Sequence, residues 1–84
     1  MFYKVRSVEA IEKYKLLVTF EDETTKIYDV KPLFEKWSVF KVLENNYELF
    51  SNVKVDLGGY GISWNDEIDL SCNELWENGK ETAN

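Results

Sequence analysis

The sequence contains no histidine and only one cysteine, one proline and four glycines. Without an imidazole, neither a Ser-His-Asp nor a Cys-His nucleophile pair can be assembled, and zinc loses its usual nitrogen ligands. The lone Cys72 forms no internal disulfide, so a reducing compartment, the cytoplasm, is the expected setting. The shortage of proline and glycine excludes low-complexity and linker-like chains. Leu16-Leu17-Val18 is the longest aliphatic stretch, far below the roughly twenty residues of a membrane-spanning helix. The start of the chain, with Lys4, Arg6, Glu9, Glu12 and Lys13, does not resemble a signal peptide. A protein without membrane contact is expected.

Against these absences stand 44 % hydrophobic and 15 % aromatic residues in 84 positions. The length is about half of the usual 150 residues per domain, so one unit is expected. Three Trp, five Tyr and five Phe can close a small core without disulfides or metal. The net charge of −6 is uneven: residues 1–42 carry eight basic and seven acidic side chains, whereas residues 43–84 carry two and nine. An acidic half with only Lys54 and Lys80 does not suit phosphate neutralisation, so direct nucleic-acid contact is not expected. A basic protein partner suits it better.

Three segments alternate with period two: Tyr3 to Val8, Lys15 to Phe20 and Thr25 to Val30, with a charged turn Glu21-Asp22-Glu23-Thr24 between the last two. They predict a three-stranded antiparallel meander. Pro32 then opens a helix carrying Leu33, Phe34 and Trp37, because its missing N–H is tolerated only in a first turn. Ser38 is placed to cap a further turn, and Asn45-Asn46 interrupts before Tyr47 to Phe50 resumes a helical pattern. Val53, Val55 and Leu57 alternate ahead of Gly58-Gly59, and Ile62 and Trp64 follow, which predicts a second hairpin with these apolar residues on its inner face. Ser71-Cys72-Asn73-Glu74 has the S-x-x-E form of a capping box and predicts a C-terminal helix ended at Asn78-Gly79. The expected fold is α+β in two layers: meander, short helices, second hairpin and short C-terminal helix. Residues 1–79 form the single domain, and residues 80–84 are expected to fray.

The ordered segments Leu16-Leu17-Val18-Thr19-Phe20-Glu21-Asp22, Tyr28-Asp29-Val30, Phe40-Lys41-Val42-Leu43, Val53-Lys54-Val55-Asp56, Ile62-Ser63-Trp64 and Ile68-Asp69-Leu70 resemble the bacterial domain-of-unknown-function family 2442. Trp64 followed by Asp69-Leu70 is the most specific part. The resemblance implies a small α+β domain, sometimes fused to a helix-turn-helix and often encoded beside another small protein in arrangements like toxin–antitoxin pairs. It brings no catalytic residues, and no helix-turn-helix segment is present here. Two turns depart from the family pattern: Glu23-Thr24 and Glu67-Ile68 stand where family members commonly have Gly.

Asp56, Asp66, Glu67 and Asp69 flank the second hairpin and are the candidates for a divalent metal or small-molecule activity there. Their D-E-x-D spacing lacks the glycine and the distant glutamate of a calcium loop, so they read first as solvated turn charges, with no cofactor expected. Cys72, at a helix start, has no base or resolving thiol and reads as structural. Asp29 and Asp69 read as carboxylates that accept backbone N–H bonds at corners, Ser71 and Glu74 as a cap, and Trp64 as core. Tyr60 in the glycine-rich turn and Trp76 on the short helix are the candidate anchors for a partner, with Asp66 and Glu67 as its charged contacts. The resulting expectation is a non-catalytic protein-interaction module, monomeric or homodimeric, antitoxin-like or regulatory.

Overall fold

The computed structural model describes residues 2–82. Strands β1 (Val5–Ile11), β2 (Lys15–Phe20) and β3 (Thr25–Asp29) form the antiparallel meander, with Leu16 opposite Tyr28 and Val18 between Val8 and Lys26. The first strand runs later than its pattern suggested, because Val8 and Ala10 pair with Val18 and Leu16 on the face that is buried. Helix α1 (Lys31–Lys36) begins with Pro32 in its first turn, where the ring's fixed φ suits the helix. A 3₁₀ turn (Ser38–Leu43) and α2 (Tyr47–Phe50) follow; Ser38 makes no capping bond, whereas Asn46 caps α2 through Leu49 N at 3.3 Å.

The second hairpin is part of a three-stranded sheet. Strands β4 (Lys54–Val55), β5 (Gly61–Ser63) and β6 (Asp69–Ser71) lie in that order, all antiparallel. Helix α3 (Cys72–Asn78) is capped by Ser71, whose Oγ accepts from Glu74 N at 3.1 Å. The residues expected to fray continue the larger sheet instead. Lys80–Glu81 form β7 beside β3, and Thr82 N donates to Thr25 O at 3.2 Å. The free N–H and C=O groups along β3 are what order this segment. Ala83 and Asn84 lie outside the described residues.

The four-stranded sheet β1-β2-β3-β7 is one layer; the helices and the small sheet are the other, and both cover the same face. Between them Leu16, Val18, Phe20, Leu43, Phe50, Ile62, Ile68 and Leu75 are fully buried. Trp64 joins them, and its indole Nε1 donates to Phe50 O at 2.8 Å. Among the described residues no helix is long and apolar enough to cross a membrane.

The two unusual turns have different solutions. Glu23 sits at φ 74° while Asp22 Oδ1 accepts from Thr24 N at 3.0 Å; this is the left-handed conformation that glycine adopts without steric cost. In the later turn Asn65 Oδ1 accepts from Glu67 N at 2.8 Å and Ile68 N at 3.0 Å, and neither Glu67 nor Ile68 has a positive φ. A side-chain acceptor there replaces what glycine does elsewhere. Glu23→Gly is therefore expected to raise the urea midpoint, by about 0.5–1 kcal/mol of stability, with an unchanged or lower midpoint counting against strain at this turn. Ending the chain at Gly79 is expected to cost about 1–3 kcal/mol through the lost ladder and hydroxyl bonds. A truncated chain that unfolds at the same urea concentration would show the tail to be unimportant.

Candidate functional site

The β4–β5 connection is a tight loop closed by Asp56 N donating to Gly61 O and Gly59 N to Asp56 O, both at 2.9 Å. Gly58 and Gly59 stand at φ 82° and 81°. A Cβ on Gly59 would lie 2.7 Å from Val5 O, so the loop rests directly on the start of β1 and only glycine permits that approach. Tyr60 O accepts from Cys72 N at 2.8 Å, which ties the other end to α3. The loop is thus held at both ends while its apolar side chains point away from the protein.

Leu57 is 101 % exposed, Tyr60 50 % and Phe2 59 %. Phe2 packs edge-on to Tyr60 at 5.5 Å, and Lys4 Nζ lies 4.9 Å from the Tyr60 ring centre. Beside them, Phe2, Tyr3, Lys4, Phe20, Glu21 and Asp22 line a shallow groove of about 300 Å³. Glu21 N donates to Lys4 O at 2.9 Å, which fixes the acidic turn Glu21-Asp22-Glu23 against this end. Hydrogen bonds from the Thr24 backbone N–H and side chain hold the Asp22 carboxyl below its ordinary pKa. The result is an apolar projection with an acidic flank.

Only part of this was visible in the sequence. Tyr60 is exposed where a loop-tip aromatic was expected. Leu57, expected on the inner face with Val53 and Val55, projects fully outward because the strand ends at Val55. The Gly58-Gly59 pair next to it was the signal that could have placed it in a turn. Asp66 and Glu67 are exposed in the opposite turn of the β5–β6 hairpin, about 16 Å away along the strand, so the structure does not join them to Tyr60. Trp76 is half-buried and spoken for: Tyr3 stacks on it at 3.7 Å and 4°, and Lys26 Nζ lies 4.0 Å from its centre. Both cannot occupy one face, so the two together sandwich the indole.

The carboxylates also separate. Asp56 Oδ1 accepts from Ser63 Oγ at 2.7 Å, while Asp69 is exposed in β6 opposite Ser63; the entry to α3 is capped by Ser71. Among the described residues no group of three Cys, Asp or Glu is placed to hold a metal ion. Asp29 Oδ1 accepts from Lys31 N at 3.0 Å at the strand-to-helix corner and pairs with Lys31 Nζ at 3.2 Å. Cys72 is 1 % exposed.

The model of a protein family of unknown function, DUF2442, matches residues 5–81. The chain belongs to the DUF2442 family. No curated protein and no solved structure matches it. In this DUF2442 domain the match spans every strand of both sheets, and it ends with β7.

One polar cluster has the look of chemistry and is structural in its contacts. Tyr28 Oη donates to Glu74 Oε2 at 2.7 Å, and Asn78 Nδ2 donates to the same oxygen at 3.0 Å. The capping-box glutamate thus spends its carboxylate on β3 and not on Ser71 N. Burial, then the bond to Glu74, raises the Tyr28 pKa far above the ordinary tyrosine value. The folded state therefore holds this proton more tightly than the unfolded chain. Its contribution to stability is present below pH of about 10 and is lost as pH rises beyond the unfolded value. Tyr28→Phe is expected to cost about 1–2 kcal/mol at neutral pH, a deficit that narrows above pH of about 10. Urea titrations across that range test it; a deficit constant with pH would remove the proton linkage.

Proposed function

We propose that this domain is a non-catalytic interaction module that docks a basic protein through the Leu57 projection, as one member of an antitoxin-like or regulatory pair. The observation that carries the reading is Leu57, fully exposed on a loop anchored at both ends. A projection on an anchored loop loses little backbone entropy on docking, and the neighbouring Tyr60 is of the residue type that carries most interface energy. Tyr60 and Phe2 widen the apolar contact. Glu21, Asp22 and Glu23 beside it, and Asp66 and Glu67 at the far end of the β5–β6 hairpin, favour a Lys- or Arg-rich partner. The distant pair acts on the rate of encounter more than on the contact itself.

A chain without histidine, with its thiol buried and its carboxylates dispersed, supports binding over catalysis. The same reading places the protein with its partner in a reducing compartment, away from membranes and nucleic acid. Tagged protein is expected to retain a small basic protein from native host lysate at low salt, identified by mass spectrometry. Leu57→Asp and Tyr60→Ala are each expected to weaken that complex by tenfold or more, about 1.4 kcal/mol. Reversal of Asp66 and Glu67 to Lys is expected to slow association with little change in dissociation. Equal retention by the wild type and the Leu57→Asp protein would overturn the proposed surface.

A further inference from the structure

The outer face of the four-stranded sheet is uncovered among the described residues, and its side chains form three cross-strand rows. One row is Glu9, Leu17, Ile27 and Lys80, read from β1 across to β7; the next is Ile11, Lys15 and Asp29; the third is Ser7, Thr19, Thr25 and the adjoining Thr82. Ile11, Leu17 and Ile27 are only partly exposed, yet none of them packs against the core. The two charged rows carry two acidic and two basic residues in a chain of net charge −6, and Glu81 adds a third carboxylate at the β7 edge.

The order of charges within the rows identifies an occupant. A two-fold axis lying parallel to the strands, between β2 and β3, brings a second copy face to face with the first. It places β1 over the other copy's β7 and β2 over its β3. Leu17 then meets Ile27 and Glu9 meets Lys80, each twice. In the next row Lys15 meets Asp29, also twice, and in the third Thr19 meets Thr25. A hollow of about 540 Å³ at the β3–β7 side, lined by Lys15, Ile27, Asp29 and Lys80 among others, lies where Ile11 of the second copy arrives. Glu9, Lys15, Asp29 and Lys80 are all matched by this single operation, as an isologous contact requires, with Glu81 left at the edge strand. We infer that this sheet face is a homodimer interface, separate from the Leu57 projection, in which two copies pack as aligned sheets about 10 Å apart.

The face is small. Strands about 4.8 Å apart and of this length give a footprint of roughly 300–400 Å² per copy, about half of the ~800 Å² per partner in a standard stable interface. Association is therefore weak and dependent on concentration. Sedimentation equilibrium at low salt is expected to show the mass rising from 9.9 kDa towards twice that value as concentration increases. Leu17→Lys, which leaves the core untouched, is expected to weaken self-association by about tenfold or more, with far-UV circular dichroism confirming the fold. Glu9→Lys and Lys80→Glu are each expected to weaken it likewise. An equimolar mixture of those two variants restores it, since both charged contacts of the mixed pair again set a basic side chain against an acidic one. A mass that stays at 9.9 kDa at millimolar concentration overturns the inference and leaves the face to an unlike partner. Self-association that persists in Leu17→Lys, or a mixture no stronger than its components, overturns this geometry.

Discussion

The buried ammonium of Lys26 is the constraint on which the arrangement of the sheet depends. A strand alternates its side chains between two faces, and β3 turns Lys26 and Tyr28 inward while Ile27 faces out. Burial of Tyr28 and Val30 on that face favours this register, since the opposite one would turn Asp29 inward, and it carries Lys26 into the core with them. What makes the burial of Lys26 tolerable is α3: Lys26, 8 % exposed, donates through Nζ to Trp76 O and lies over the Trp76 ring. The last carbonyls of a helix lack internal partners and carry the negative end of its dipole, so a cation is well placed there. A buried ammonium needs such partners, because an unpaired one is expensive to desolvate. Among the described residues no buried side-chain polar atom is left without a hydrogen bond.

Several neighbouring features follow from that placement. The Lys26 stem passes so close to the end of α3 that a Cβ on Gly79 would lie 3.1 Å from Lys26 Cβ and 2.6 Å from Leu75 O. Gly79 is extended here, with φ −78°, so it serves for space and not for a left-handed turn. Beyond it the chain is delivered alongside β3 and pairs there as β7. Trp76, held by Lys26, is stacked by Tyr3 and meets the Phe20 ring edge-on at 4.9 Å. One buried charge therefore links the third strand, the last helix and the start of the chain.

Much of this was legible in the sequence, and the exceptions share a cause. Strand β2 matches its alternation from end to end, Pro32 opens α1, and Ser71 caps α3. Each of these is decided by residues close in sequence: period, a missing N–H, a hydroxyl three residues before its donor. Long-range pairing decides the rest. Nothing near Lys80 announces that β3 will offer it a free edge, and β6 is three residues that become a strand only because β5 lies beside them. Leu57 continues a good alternation in the sequence, yet the glycines after it end the strand two residues early and turn it outward. Trp76 reads as a partly exposed anchor on its short helix and is half-buried, but the partners that occupy its faces, Tyr3 and Lys26, are 73 and 50 residues distant and leave no mark near it. At the candidate site the aromatic tip was readable, while the acidic flank was not, since Glu21 reaches Lys4 only through the fold.

The inward turn of Lys26 also determines what the outside of the sheet presents. With Ile27 displaced outward beside Leu17, the centre of the open face is aliphatic, although most solvated sheet faces are polar. Acidic charge is concentrated elsewhere: at the Glu21–Glu23 turn, in the Asp66-Glu67 turn and along α3. Repulsion between two chains of net charge −6 opposes their association, so a self-complementary surface has to be neutral and its charges must be antisymmetric about an axis. Those two properties describe the rows containing Glu9, Lys15, Asp29 and Lys80. An interaction through that face and one through Leu57 need not compete, because they draw on different residues. Pairing through the sheet would present two Leu57 projections on one particle, and a partner with two matching sites would then bind with an effective concentration that neither site alone provides. The register of a single strand thus governs the core, the uncovered sheet face and the number of docking projections the assembly displays.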